Sequence, residues 1–208
     1  RFPTRPLKVL RIAAAGLAIT QICFVSLDSA MIMNTGGLSL ADVCTANYFL
    51  AGCLLVLTAA VFLVFSRFGL PATPAWLLFI LPLLFAIVWT SHSASRLEYR
   101  ILLVVLTGLH QLAAALWIGG MPYLWLLLSS QSETGNDAVV RAVRRYSTTA
   151  LVSVIVLVLA GVSMGKFYTE SWSAVYGTAY GVVLLAKSIM LVGPLALGAG
   201  NFLLVRKG

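Results

Sequence analysis

The chain alternates long apolar segments with short polar ones. Six apolar runs are evident, over residues 10–33, 47–66, 74–91, 101–128, 148–165 and 181–205. A helix that crosses the hydrocarbon core of a bilayer needs about 20 mostly apolar residues, and each run approaches or exceeds that length. The pattern therefore predicts an all-α protein, a polytopic bundle of six transmembrane helices that forms a single domain over residues 1–208.

The basic residues between the runs indicate how the bundle is oriented. Ten of the 14 Lys and Arg residues fall on one side of the predicted bundle, while only Arg96, Arg100 and Lys166 fall on the other. Cytoplasmic segments of membrane proteins are enriched in Lys and Arg. We therefore expect both ends of the chain to be cytoplasmic. Segment 129–147, on the same side, is the most polar stretch, and we expect it to be a mobile loop.

The composition indicates that the chain contacts lipid and does not bind nucleic acid. Charged residues make up 10% of the chain and hydrophobic residues 61%, whereas a soluble domain has about 25% charged residues. The net charge of +8 does not indicate nucleic acid binding, because the basic residues flank apolar runs and report orientation. The expected partner is the lipid bilayer. The chain has neither HExxH nor a Walker loop, so we expect it not to be an enzyme.

One histidine lies where water is scarce. His110 falls in "GLHQLAAALWIGG", inside the fourth apolar run. An ionisable residue within a membrane is costly and usually faces a cavity or a partner. Neutral imidazole is a common metal ligand, but it can also form a structural hydrogen bond to a neighbouring helix. The spacing alone leaves both interpretations open.

Soft donors share the predicted outer side with His110. The other histidine, His92, ends the third run, Met31 and Met33 end the first, and Met164 ends the fifth. Thioether and imidazole ligands suit copper, especially Cu(I). Any single methionine is more commonly a filler of apolar gaps. These five residues are nevertheless the candidate copper ligands.

Packing positions accompany the histidine in the fourth run. Trp117 follows His110 by seven residues, so both lie on one helix face. Gly119 and Gly120 would allow another helix to approach closely. The sequence thus predicts that this face is packed against a neighbouring helix.

Two opposite charges lie inside the first and sixth runs at similar depths. Asp28 and Lys187 would each be expensive if left unpaired in lipid. We expect them to form a buried ion pair in the bundle interior. Alternatively, Lys187 lines a pathway or extends its ammonium group towards the outer surface.

Several stretches together resemble a known family. They are "SHSAS" (91–95), "LHQLAAALWIGGMPYLW" (109–125), "VRRYSTTALVSVIVLVLAGV" (143–162) and "YGTAYGVVLLAKSIMLVGPLALGAGNFLL" (176–204). They resemble the copper resistance protein D family (CopD) of the bacterial inner membrane, over about residues 92–205. The last stretch places Tyr180, Gly181, Lys187 and Asn201 at family positions. The chain departs from the family at Thr107, where some members have a second histidine, and at Ser91, where the family has glycine.

The resemblance implies copper as the ligand and import of periplasmic copper into the cytoplasm. It also implies a periplasmic copper-binding partner and about eight spans, of which this chain shows six. We expect copper to arrive near His92 and His110. The alternative is an accessory or assembly subunit of a larger respiratory or oxidase complex. A b-type haem is disfavoured, because the two histidines would differ in depth by ~16 Å at 1.5 Å per residue if the fourth helix starts near residue 99.

Overall fold

The computed structural model describes residues 4–68, 76–129, 136–168 and 176–207, and all secondary-structure elements in these residues are helices. In chain order they are α1 (Thr4–Gly36), α2 (Leu40–Thr45), α3 (Asn47–Phe65), α4 (Leu77–Trp89), α5 (His92–Ser95), α6 (Arg100–Ser129), α7 (Asn136–Tyr168) and α8 (Ala179–Lys207). The all-α prediction is confirmed for the described residues.

Four segments of these helices are long and apolar enough to cross a membrane. They are Leu7–Gly36, Asn47–Phe65, Arg100–Leu126 and Val139–Tyr168. They correspond to the first, second, fourth and fifth predicted spans. The third predicted span corresponds to the shorter apolar helix Leu77–Trp89, and the sixth corresponds to α8, in which Gly181–Gly193 is apolar. The count of six spans and the cytoplasmic location of both ends therefore remain predictions.

The prediction that residues 129–147 form a loop is wrong from residue 136 onwards. Helix α7 begins at Asn136 and continues without a break to Tyr168. Val139, at the start of this helix, is almost fully buried, while Arg141, Arg144 and Arg145 are exposed. Three arginines mark the segment as too polar to cross lipid, but arginine is a good helix former. Polarity therefore indicates where the membrane ends, not where the helix ends.

Helices α1 and α3 pack closely at the level of Gly52. A Cβ atom on Gly52 would overlap Cγ2 of Val25, so the absent side chain is what lets the two helices approach. The pair is held at both ends. The Nε of Arg11 donates to the Ser66 hydroxyl at 3.0 Å, and the hydroxyls of Ser29 and Tyr48 share a hydrogen bond at 3.2 Å.

Helix α4 completes a small apolar core with α3. Ala51 and Leu55 of α3 are buried against Ala86 of α4. Towards the far end of the same pair, the rings of Phe62 and Phe79 meet edge to face, with centroids 5.5 Å apart. Aromatic pairs prefer this geometry. Residues 4–68 and α4 thus form one half of the molecule, beside the α6–α7 pair.

The start of α6 is fixed by an unusual residue. Tyr99, immediately before the helix, has φ of 53°, a left-handed conformation that costs a non-glycine residue roughly 1–2 kcal/mol. Its ring lies 5.2 Å from that of Phe167 on α7, and its carbonyl accepts from the Leu103 amide at 2.9 Å. The ring contact joins the residue that precedes α6 to the last turn of α7.

Candidate metal site between helices α6 and α7

Helices α6 and α7 pack along most of their length, and one half of their interface carries a stripe of polar groups. On α7 the stripe consists of Tyr168, Met164, Gly161 and Leu157, spaced by four, three and four residues. Such spacing keeps residues on one face of a helix. Across from it, α6 contributes Thr107 and His110, and the short helix α5 contributes Ser93.

His110 lies at the deep end of this stripe. Its Nδ1 lies 3.0 Å from the Leu157 carbonyl oxygen. A carbonyl oxygen only accepts, so Nδ1 carries the proton that it donates, and Nε2 is the nitrogen with a lone pair in the neutral ring. The ring rests against Gly161, because a Cβ there would lie 3.3 Å from Cε1 and 3.5 Å from Nδ1. Gly161 thus provides the space that the imidazole occupies.

The depth of His110 follows from its partner on α7. Leu157 precedes the exposed Lys166 by nine residues, or about 14 Å along the helix axis. That distance is close to half of the ~30 Å hydrocarbon core. Helix α6 is also continuous from Arg100, with no break near Thr107. With Lys166 at the edge of the hydrocarbon core, His110 lies near the middle of the core, about a third of the way along α6.

Met164 lies one turn above Gly161 and is oriented by a chain of hydroxyls. The Thr107 hydroxyl donates to the Met164 sulfur at 3.3 Å. Because that proton is committed, Ser93 must donate to the Thr107 oxygen, at 2.5 Å, and Tyr168 to the Ser93 oxygen, at 2.7 Å. Ser93 and Thr107 are 2% and 7% exposed, so this series of hydrogen-bonded hydroxyls is shielded from solvent.

Arginine and aromatic side chains form a rim at the end of the interface where Tyr168 lies. Arg96 donates to the Phe167 carbonyl at 2.8 Å, and its guanidinium lies 5.1 Å from the centre of the Tyr168 ring. Such cation–π contacts hold a positive charge without a carboxylate. His92 begins α5, one residue before Ser93, but its side chain lies outside the described residues.

The structure does not bring all the predicted sulfur donors together. Met164 lies in the α6–α7 interface, while Met31 and Met33 are 64% and 36% exposed on α1. Helix α1 packs chiefly against α3. Among the described residues, no three His, Cys, Asp or Glu side chains form a metal-binding group. Of the predicted donors with described side chains, His110 and Met164 are the two that lie in the α6–α7 interface, and imidazole and thioether are ligands that suit copper.

The buried ion pair predicted between Asp28 and Lys187 is not formed. Lys187 is exposed on α8 and Asp28 is partly buried on α1. The exposed Lys187 does not face a bundle interior that it could share with Asp28. Of the alternatives, the exposed position suits an ammonium group that extends towards an interface. The Asn201 side chain lies outside the described residues.

Trp117, Gly119 and Gly120 lie in the other half of the α6–α7 interface. The Tyr146 hydroxyl donates to the Trp117 carbonyl at 2.8 Å. A Cβ on Gly120 would overlap the Tyr146 ring, whereas a Cβ on Gly119 would meet no atom within 4 Å. Gly120 thus provides the space for a close contact, and Gly119 faces an open cleft.

Comparison with known proteins identifies the family. Residues 140–208 match the model of CopD, copper resistance protein D. The chain is also 38% identical over 144 residues to the copper transport protein CutJ of Bacillus subtilis (strain 168). This chain belongs to the copper resistance protein D family. The alignment covers 69% of this chain and 26% of the relative, so the chain spans about a quarter of the relative's length. No solved structure matches it.

The CopD match covers α7 from residue 140 and all of α8. It therefore includes Gly161 and Met164, while His110 and the predicted segment 92–139 lie outside it. Together with the apolar helices, it confirms a multi-pass protein of the bacterial inner membrane. The resemblance to this family, inferred from sequence motifs, is confirmed.

Sequence analysis missed the residues that orient the two donors. The Thr107, Ser93 and Tyr168 hydroxyls appear on three separate segments, and nothing in their spacing shows that they meet. In the sequence, Thr107 is distinguished only as a departure from the family pattern. The structure shows that the position where some members have a second histidine lies directly against the Met164 sulfur. Gly161 could have been found from its GxxxG motif, but the motif does not show that a histidine fills the gap.

Proposed function

We propose that this chain forms the membrane-embedded part of a copper importer, and that His110 binds the ion within the membrane. The copper ion is the transported substrate. The names of the family and of the Bacillus relative support copper as the cargo. No covalent step is required, so the proposed activity is transport without enzymatic chemistry.

The hydrogen bond from His110 to the Leu157 carbonyl is the observation that carries this proposal. Metal-binding histidines commonly donate one ring N–H to a carbonyl or carboxylate, which fixes the ring and leaves the other nitrogen for the metal. The bond is structural in itself. It also selects the tautomer in which Nε2 can bind a metal ion. The structural hydrogen bond and the metal-ligand role, which the sequence left as alternatives, are therefore compatible in one geometry.

Met164 provides the second donor of the proposed site. A thioether sulfur has two lone pairs, and the Thr107 hydroxyl uses one of them. Gly161 and Met164 are three residues apart on α7, about 4.5 Å along the axis, so sulfur and imidazole occupy successive levels. Neutral sulfur and nitrogen donors favour Cu(I) over hard divalent ions. We assign Met164 as the donor above His110.

The proposed direction of transport is supported by the position of the rim at which the stripe begins. It starts at the rim formed by Arg96 and Tyr168, which the positive-inside rule predicts to be the outer side, and it leads down to His110. An ion arriving from outside would meet Met164 first and His110 second. We therefore propose import, with a copper-binding partner on the outer side delivering the ion near α5, where His92 lies.

The proposal is tested by removing the imidazole. His110→Ala should reduce copper uptake in cells to the background of cells that lack the protein, and the purified variant should lose its tightly bound Cu(I) in competition with a chelator. Helix content, measured by circular dichroism, serves as the control for folding. Unchanged uptake by a well-folded His110→Ala variant would reject the ligand role.

A finer test displaces the ring without removing it. Gly161→Ala should weaken Cu(I) binding by about 10- to 100-fold, because the added methyl displaces the ring and its hydrogen bond to the Leu157 carbonyl, and outer-shell partners are typically worth that much. Gly165→Ala is the matched control on the same helix, since a Cβ there lies an ordinary 3.7 Å from Leu184. Equal effects of the two substitutions would show that helix packing, not ring position, is what was measured.

The accessory-subunit alternative makes a different prediction. An accessory subunit would copurify in fixed stoichiometry with a respiratory or oxidase complex and would contain no copper in either the wild type or His110→Ala. Metal analysis of the purified protein decides between the two functions.

A further inference from the structure

The half of the α6–α7 interface away from the proposed metal site contains an open cleft of about 600 Å³. Its floor on α6 is formed by Leu116, Gly119 and Gly120, and its wall on α7 by Arg141, Arg145 and Tyr146. Leu116, Gly119 and Tyr123 on α6, and Arg141, Arg145 and Thr149 on α7, follow the spacing of three or four residues that keeps side chains on one helix face. The cleft is therefore a groove that runs along the helix pair.

The two glycines explain why this groove exists. Gly120 is covered by the Tyr146 ring, which is held in place by its hydrogen bond to the Trp117 carbonyl. Gly119, one residue earlier, faces space in which an added Cβ meets no atom within 4 Å. The close contact at Gly120 thus brings the helices together, and the bare backbone at Gly119 leaves room for a ligand beside it.

Polarity changes along the groove in one direction. Helices α6 and α7 are antiparallel, so Arg141 lies beside Tyr123 at one end, and Thr149 lies beside Ala115 and Leu116 at the other. Arg141 and Thr149 are eight residues apart, about 12 Å along the axis. The groove is cationic at its shallow end and apolar at its deep end, which is the order of groups along a phospholipid molecule.

The depth of the arginines matches the headgroup layer. A span of about 20 residues that ends at Tyr168 begins near residue 148. Arg145 then lies about 5 Å and Arg141 about 10 Å outside the hydrocarbon core. The headgroup layer extends roughly 5–7 Å beyond the core on each side, so Arg145 lies within it and Arg141 lies just beyond it, one helical turn away. The carboxylates whose side chains are described, Asp28, Asp42 and Glu98, lie towards the opposite end.

We propose that this groove binds an anionic phospholipid, with its phosphate between Arg141 and Arg145 and an acyl chain along Gly119 and Leu116. Arginine is suited to phosphate because its guanidinium presents several N–H donors in a fixed fork. Basic pockets between transmembrane helices are known to recognise lipid headgroups. The Tyr146 ring forms the wall that separates this site from the proposed metal site, so the two can be tested independently.

Adjacent arginines on α7 supply a matched test. Arg145 lines both the groove and a neighbouring shallow surface, whereas Arg144 lines only that neighbouring surface. The full chain is purified in detergent, and the retention of phosphatidylglycerol and of phosphatidylcholine is measured by native mass spectrometry. Arg145→Gln should weaken phosphatidylglycerol retention about fivefold, if each arginine near the surface contributes about the usual amount. Arg144→Gln removes the same charge at nearly the same depth but no side chain from the groove, so it should weaken retention by clearly less than Arg145→Gln does.

A second variant blocks the apolar end without changing any charge. Gly119→Leu places a side chain in the open groove and should abolish preferential retention of phosphatidylglycerol, while the unfolding temperature in lipid-free detergent stays close to that of the wild type. Phosphatidylglycerol should raise the unfolding temperature of the wild type, and inorganic phosphate at equal ionic strength should not. Equal losses for Arg144→Gln and Arg145→Gln, equal retention of the two lipids, or equal protection by inorganic phosphate would each overturn the proposal.

Discussion

The two halves of the α6–α7 interface use the same helices and the same spacing, yet they present opposite chemistry. The half that ends at Tyr168 contains three hydroxyls hydrogen-bonded in series to a thioether, and an imidazole hydrogen-bonded to a backbone carbonyl. The other half contains two glycines, a tyrosine and exposed arginines around an open groove. A cation can be accepted by the first half without a buried carboxylate, while the second half attracts anions. One helix pair thus separates the proposed passage of a metal ion from attachment to lipid.

The largest difference in stability is expected between substitutions at Gly120 and at Gly119. Gly120→Val should lower the free energy of unfolding by about 2–3 kcal/mol, because an added Cβ overlaps the Tyr146 ring and overpacking typically costs up to that much. Gly119→Val, one residue away, should change it far less, since its Cβ would meet open space. The measurement is chemical unfolding in detergent. Equal losses at the two glycines would show that the groove beside Gly119 is closed.

The hydroxyl chain in the other half gives the next largest effect. Thr107→Val should lower the free energy of unfolding by about 1–2 kcal/mol, because the Ser93 hydroxyl loses its acceptor in a buried place. Thr107→Ser keeps the hydroxyl and should cost less. Thr149→Val is the control in the opposite half, where the threonine hydroxyl is exposed and donates only to the Arg145 carbonyl of its own helix. Similar losses at Thr107 and Thr149 would mean that the buried hydroxyls contribute no more to the free energy of unfolding than an ordinary surface threonine does.

Sequence predicted the membrane-crossing helices better than it predicted their contacts. Apolar runs determine spans because lipid requires them over a fixed length. Four of the six predicted spans therefore reappear, three of them within about three residues at each end, while the fifth begins at Val139 instead of residue 148. The helical start of α7 was missed because three arginines exclude a residue from lipid without excluding it from a helix. The Asp28–Lys187 pair is not formed because equal depth does not determine which way a side chain faces, and Lys187 is exposed.

The candidate site was only partly predictable for a similar reason. His110 could be found from its own cost in a membrane. Met164 could be selected over Met31 and Met33 only once α6 and α7 were known to pack together, since all three end apolar runs on the same predicted side. The groove at Gly119 could not be predicted, because two adjacent glycines look alike in sequence and only the position of Tyr146 distinguishes them.

The smallest effect concerns acid, to which the two ends of the molecule should respond differently. Asp42, in the first turn of α2, accepts hydrogen bonds from the hydroxyl and the amide of Ser39, and these bonds lower the pKa of its carboxyl group below the ordinary 3.8. A lowered pKa in the folded state stabilises the fold above the ordinary pKa, and this stability is lost as the pH falls through the lowered value. Protonation should therefore loosen Leu40–Thr45 at acidic pH, while residues 139–149 should not respond, because their arginines do not titrate there. The test is amide hydrogen exchange at pH 5 and near pH 3, expressed as protection relative to the unfolded chain. Asp42→Asn should remove the pH dependence in α2, and a loss of protection that is equal in both segments would indicate general acid unfolding instead of a local cap.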